Sequence, residues 1–127
     1  MKAIDTNIVI RLLLRDDEPQ YQLARKIVTN GAIIPITVLL ETGWLLESRF
    51  KFGRADIVGA LKQLMDAPDI TVAEPAAVRS ALDLYAGGAD FADAIHLVAA
   101  RGAEAFVTFG RKMPHSDVIG VDVEIVA

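Results

Sequence analysis

Ala32-Ile33-Ile34-Pro35-Ile36-Thr37-Val38-Leu39-Leu40-Glu41-Thr42-Gly43-Trp44-Leu45-Leu46 joins a short apolar run to a longer one, broken only by a proline and one carboxylate. Ala32–Pro35 reads as a strand, and Thr37 is expected to cap an apolar helix from Val38 to about Phe50. Upstream, Lys2–Asp5 reads as a first strand, with Thr6 capping a helix over Asn7–Leu14. A second helix is expected from about Pro19 to Asn30, because proline suits a first turn and Gly31 can take the left-handed position after the last. Downstream, Ile57, Val58, Leu61, Leu64 and Met65 have the spacing of an amphipathic helix over Arg54–Met65, ended by Pro68. Ile70–Ala73 reads as a strand, and Pro75 opens a helix to about Tyr85, closed by Gly87 and Gly88. Asp90 begins a helix through Arg101, which Gly102 terminates. Ala105–Thr108 and Ile119–Val121 read as the remaining strands, with Glu124–Val126 as a further candidate. Short apolar strands alternating with helices predict an α/β fold whose parallel sheet is covered on both faces. Such sheets place ligand sites beyond the carboxyl ends of their strands, where strand order reverses.

The 127 residues fit one domain, taken here as 1–127. The chain has no cysteine, which removes disulfides and thiolate metal sites and agrees with a reducing compartment. Hydrophobic residues make up 53%, yet no run approaches the roughly 20 residues of a membrane span. Asp5 and Arg11 fall where a signal peptide needs an unbroken apolar core, so a cytoplasmic protein is expected. The apolar surplus points to a protein interface. A net charge of −4 argues against a module built for tight nonspecific nucleic-acid binding. It does not exclude a nuclease, whose metal-holding carboxylates add negative charge. Arg49, Lys51, Arg54, Arg111 and Lys112 read either as solvated surface or as phosphate contacts.

Three carboxylates stand out. Asp5 closes the first strand, Glu41 sits among Val38–Leu46, and Asp93 sits inside Phe91-Ala92-Asp93-Ala94-Ile95. A helix apolar on all sides is expected to be buried, and an unpaired buried carboxylate costs several kcal/mol or more. Each has a simpler reading as well. Asp5 can cap the helix after it, Asp90 can cap the helix bearing Asp93, and Asp93 can answer the helix dipole. Glu41 fits no capping box with Thr37, which would need Glu or Gln at Leu40, but it could pair with an arginine. Read together, carboxylates converging from distant segments need a cation between them, and Mg2+ or Mn2+ suits an all-oxygen site. His96 reads as a packed or hydrogen-bonded histidine and His115 as a solvated one. No phosphate loop, nucleophile elbow or zinc-ligand spacing is present.

At these residues the chain resembles the PIN-domain ribonucleases, and among them the VapC-type toxins of toxin–antitoxin pairs. The likeness rests on Ile4-Asp5-Thr6-Asn7-Ile8-Val9-Ile10-Arg11, on Ile36-Thr37-Val38-Leu39-Leu40-Glu41, on Ala89-Asp90-Phe91-Ala92-Asp93-Ala94-Ile95 and on Val107-Thr108-Phe109. The resemblance implies a three-layer α/β/α domain with a central, mostly parallel sheet. It also implies a Mg2+- or Mn2+-dependent endoribonuclease with Asp5, Glu41 and Asp93 as metal ligands and Asp90 as their acidic partner in catalysis. Thr6 and Asn7 would support Asp5, and Thr108 would face the site. A homodimer, an RNA substrate and a cognate antitoxin that masks the pocket are implied too. One departure stands out: where the family usually has aspartate after Thr-Phe, this chain has Gly110, with Asp117 a distant substitute.

A second reading is a binding module disarmed by Gly110, acting through its antitoxin complex. A third, an aspartyl-nucleophile phosphatase, is ranked well below, since Asn7 stands where such an enzyme needs its second carboxylate.

Overall fold

The computed structural model describes residues 1–126. The chain forms two compact units, Met1–Ala73 and Glu74–Ala127. The first contains β1 (Lys2–Ala3), α1 (Thr6–Leu14), α2 (Glu18–Val28), β2 (Ala32–Ile34), α3 (Ile36–Ser48), α4 (Arg54–Asp66) and β3 (Ile70–Val72). Its three strands pair in parallel in the order β1-β2-β3. Lys2 stands opposite Ala32, and Ala32 opposite Ile70. The Ile4 amide extends the first ladder by donating to the Ile33 carbonyl at 3.0 Å. Strand order follows the sequence here, so the expected reversal does not lie among these three strands.

Ala32 and Ile34 of the middle strand are fully buried, as are Val9, Val28, Leu39, Leu46, Ile57 and Leu61 from the four helices. Each fully buried Val, Leu or Ile contributes about 1.5–3 kcal/mol against its exposed state, so this small core carries much of the unit's stability. Gly31 takes φ +93°, the left-handed turn expected after α2.

The second unit contains α5 (Pro75–Ala86), α6 (Phe91–Ala99), β4 (Ala105–Thr108) and β5 (Asp122–Ile125). The two strands are parallel, with Ala105 opposite Asp122 and Thr108 opposite Ile125. Tyr85 and Phe91 meet edge to face, ring centroids 5.2 Å apart, and pin α5 to α6. Arg101 pairs with Glu74 and donates to the Val118 carbonyl at 3.3 Å, tying the segment after α6 to two others.

Three local expectations are corrected. Thr6 is the first residue of α1 rather than its cap: Asp5 caps the helix, its Oδ1 accepting from the Thr6 amide at 2.7 Å. Thr37 is not a cap either, because α3 begins at Ile36 behind Pro35, which has no side-chain acceptor. Ile119–Val121 is not a strand. Gly120 turns left-handed at φ +73°, and its amide donates to the Ser116 carbonyl at 3.0 Å. Ile119 and Val121 are buried within the crossover between β4 and β5, which explains why they are apolar without being extended.

Candidate functional site

Asp5 lies just past β1, and Glu41 lies on the helix that follows β2, so both come from the carboxyl ends of neighbouring parallel strands. They line one open pocket of about 390 Å³ together with Thr6, Asn7, Ile10, Arg11, Leu45, Arg49 and Phe50. The buried Thr6 hydroxyl donates to Oε1 of Glu41, which fixes the carboxylate of α3 against the first turn of α1. Asp5 uses one oxygen as the cap of α1. An ionised carboxylate has about four acceptor sites, so each acid retains capacity for another partner.

The carboxylates are not buried as their apolar surroundings suggested. Asp5, Glu41 and Asp90 are exposed and Asp93 is half-buried. Glu41 shares the open side of α3 with Trp44, which is 63% exposed. The helix is apolar all round because part of its apolar surface faces outward. Exposure removes the desolvation cost, and what sets Asp5 and Glu41 apart is the pocket they share.

In the second unit, Asp90 caps α6, its Oδ2 accepting from the Asp93 amide at 3.0 Å. This is the capping arrangement weighed from the sequence, and it sets Asp93 in the first turn near the positive end of the helix dipole. Thr108 ends β4, and its hydroxyl accepts from the Gly110 amide at 2.9 Å. Asp117 pairs with His115 at 3.0 Å and is almost fully exposed. His96 is exposed rather than packed away, its ring stacked near that of Phe106 with centroids 6.2 Å apart.

Arg11 was missed as a pocket residue. Its position one helical turn after Asn7 was the available signal, since residues four apart share a helix face. It donates to Asp16 at 2.8 Å while lining the pocket.

The pocket fits a hard divalent cation. Its donors are oxygens, and Mg2+ is commonly held by one or two carboxylates while keeping several waters. Among the described residues, no group of three His, Cys, Asp or Glu forms a cage for a metal ion.

A parallel α/β scaffold with a carboxylate-lined pocket at the ends of its strands defines the class of protein. The model of the PIN domain family matches residues 2–118, and the chain belongs to that family. PIN domains are commonly nucleases, so this is a nuclease fold, and its helices and parallel strands agree with the three-layer α/β/α class. A search of curated proteins gave no match to the chain. No described helix is long and apolar enough to cross a membrane.

Proposed function

We propose that the chain is a metal-dependent endoribonuclease, the toxin of a type II toxin–antitoxin pair acting in the cytoplasm as a single domain. The observation that carries this reading is the shared pocket of Asp5, Glu41, Arg11 and Arg49. Acids and guanidinium groups lining the same pocket suit a cation and a phosphodiester together. On this reading Asp5 and Glu41 of the pocket would hold Mg2+ or Mn2+, and the resemblance adds Asp93 as a further ligand and Asp90 as the acid that would orient the attacking water. The bound ion would neutralise charge on the phosphate and lower the pKa of water. Thr6 holds Glu41 in place, Asp90 holds the start of α6, and Arg49 receives a phosphate oxygen.

Support for a protein partner comes from α2. Leu23 and Ile27 are 61% and 45% exposed along a groove of about 520 Å³ that also includes Asn7 and Arg11. Those last two residues line the carboxylate pocket as well, so a segment lying in the groove would reach the site. An antitoxin segment there would mask the acids, and Trp44 offers apolar surface suited to a homodimer.

A second reading, partner binding without turnover, is favoured by Gly110, which supplies no carboxylate beside Thr108. Cleavage of a mixed RNA pool tests both. Cleavage with Mn2+ that EDTA stops and Asp93→Asn abolishes supports the nuclease. No cleavage under any divalent ion overturns it.

A further inference from the structure

Phe109 is the most exposed large apolar side chain among the described residues, at 80%. It follows Thr108, the last residue of β4; within the strand Phe106 and Thr108 are half-buried and Val107 is exposed. Phe106 is half-buried and stacks near His96, while Phe109 has no such ring partner. Water contact over most of an aromatic ring is a standing cost, and nothing in the packing of this unit requires it.

The ring stands on a fixed base. The Gly110 amide donates to the Thr108 hydroxyl at 2.9 Å, closing a tight turn with Phe109 at its centre. The Val126 amide, just past β5, donates to the Thr108 carbonyl at 2.8 Å and anchors Thr108 as well. Arg111 and Lys112 follow at once, both exposed and neither in an ion pair among the described residues. An exposed aromatic face followed by two available cations on an ordered turn matches what single strands offer, namely a base to stack and phosphates to neutralise.

We propose that Phe109 is a stacking platform for an unpaired RNA base, with Arg111 and Lys112 taking the adjacent phosphates. The identity of the ligand as RNA rests on the nuclease reading. Duplex RNA keeps its bases inside the helix and cannot use the ring, so the platform selects single-stranded segments. A protein partner on the same ring would lean on its apolar surface rather than its π face, which separates the two by mutation.

The test is fluorescence anisotropy of a short unstructured labelled RNA, and of a labelled duplex, against the full chain in EDTA. Phe109→Ala is expected to weaken single-strand binding about tenfold, with Phe109→Trp retaining it and Phe109→Leu not restoring it. Duplex binding is expected to stay unchanged. Arg111→Ala with Lys112→Ala should flatten the salt dependence of single-strand binding by about 0.7 per lost contact. Unchanged affinity in Phe109→Ala, or full rescue by Phe109→Leu, overturns the platform and leaves apolar protein docking as the use of this ring. Cleavage measured in parallel keeps the two readings apart. Phe109-dependent binding without cleavage overturns the nuclease and leaves the platform, whereas cleavage indifferent to Phe109 does the reverse.

Discussion

The hydroxyl of Thr6, in the first turn of α1, donates to Oε1 of Glu41 on α3. That bond joins the two helices that follow β1 and β2, and it orients one of the two acids in the pocket. A neutral donor on a carboxylate contributes about 1.5–3 kcal/mol where it is shielded and less where, as here, the acid meets water. Its larger consequence is geometric, since an exposed glutamate otherwise samples several rotamers.

Thr6→Val keeps the shape and removes the donor, while Thr6→Ser keeps the donor. Thr6→Val is expected to lose about 1 kcal/mol of stability and several-fold in Mn2+ affinity, with Thr6→Ser close to the parent in both. Thermal unfolding and Mn2+ titration by electron paramagnetic resonance read the two effects separately. Equal Mn2+ affinity in all three chains would show that the bond is structural only.

The capping role of Asp5 and its proposed role as a metal ligand are separable by one pair of variants. As the cap of α1 it is replaceable by asparagine, whose side-chain oxygen caps as well, but not by alanine, which costs about 0.5–2 kcal/mol. As a metal ligand it is replaceable by neither. Asp5→Asn is therefore expected to unfold near the parent temperature yet lose Mn2+ binding and RNA cleavage, and Asp5→Ala to lose stability too. Retained cleavage in Asp5→Asn would leave Asp5 as a cap alone.

Most of the elements were legible because proline, glycine and short apolar runs mark their ends. Pro75 opens α5, Gly31 and Gly102 take left-handed turns after helices, and Ala105–Thr108 is the strand expected. Caps were harder to read. At Asp5-Thr6 two adjacent residues can each cap, and the sequence holds nothing that orders them. At Pro35-Ile36-Thr37 the helix starts before the only residue with a capping hydroxyl. Ile119–Val121 misled because burial and extension both favour Ile and Val, and only the left-handed Gly120 separates them. At the site, the unusual placement of Glu41 and Asp5 was visible while its cause was misread. Burial cannot be inferred from an apolar helix when residues such as Trp44 face water.

Glu18 offers a check away from the site. Its carboxyl is held at about 2, below its ordinary 4.5, first by the hydrogen bond from Arg15 and then by that from Gln22. The contact is complete above the ordinary value and is lost as pH falls from about 4.5 through about 2. Because both side chains are exposed, the loss is expected as local fraying at the start of α2 rather than as global unfolding. Carboxyl-detected NMR titration should place Glu18 below its ordinary value and move it upward in Arg15→Ala. A Glu18 midpoint unchanged by Arg15→Ala would show that the pair does not form in solution.

Gly110 offers a substitution that tests the proposed nuclease from the end of β4. Its backbone is not in the left-handed region, so a side chain there meets no backbone strain. An added Cβ would stand 3.3 Å from the Thr108 hydroxyl oxygen, close enough that Thr108 must shift by a few tenths of an ångström. Thr108 is a half-buried residue at a strand end, and a small rotation of its side chain accommodates this. Gly110→Asp is therefore expected to fold with a change within about 1 kcal/mol, while adding a carboxylate beside Thr108. If Thr108 faces the metal site, that carboxylate raises Mn2+ affinity and speeds RNA cleavage relative to the parent. Asn at the same position supplies the bulk without the charge and should do neither. A gain in Gly110→Asp absent from Gly110→Asn identifies the chain as a weakened nuclease. Equal behaviour of the parent and both variants would place residue 110 outside the site.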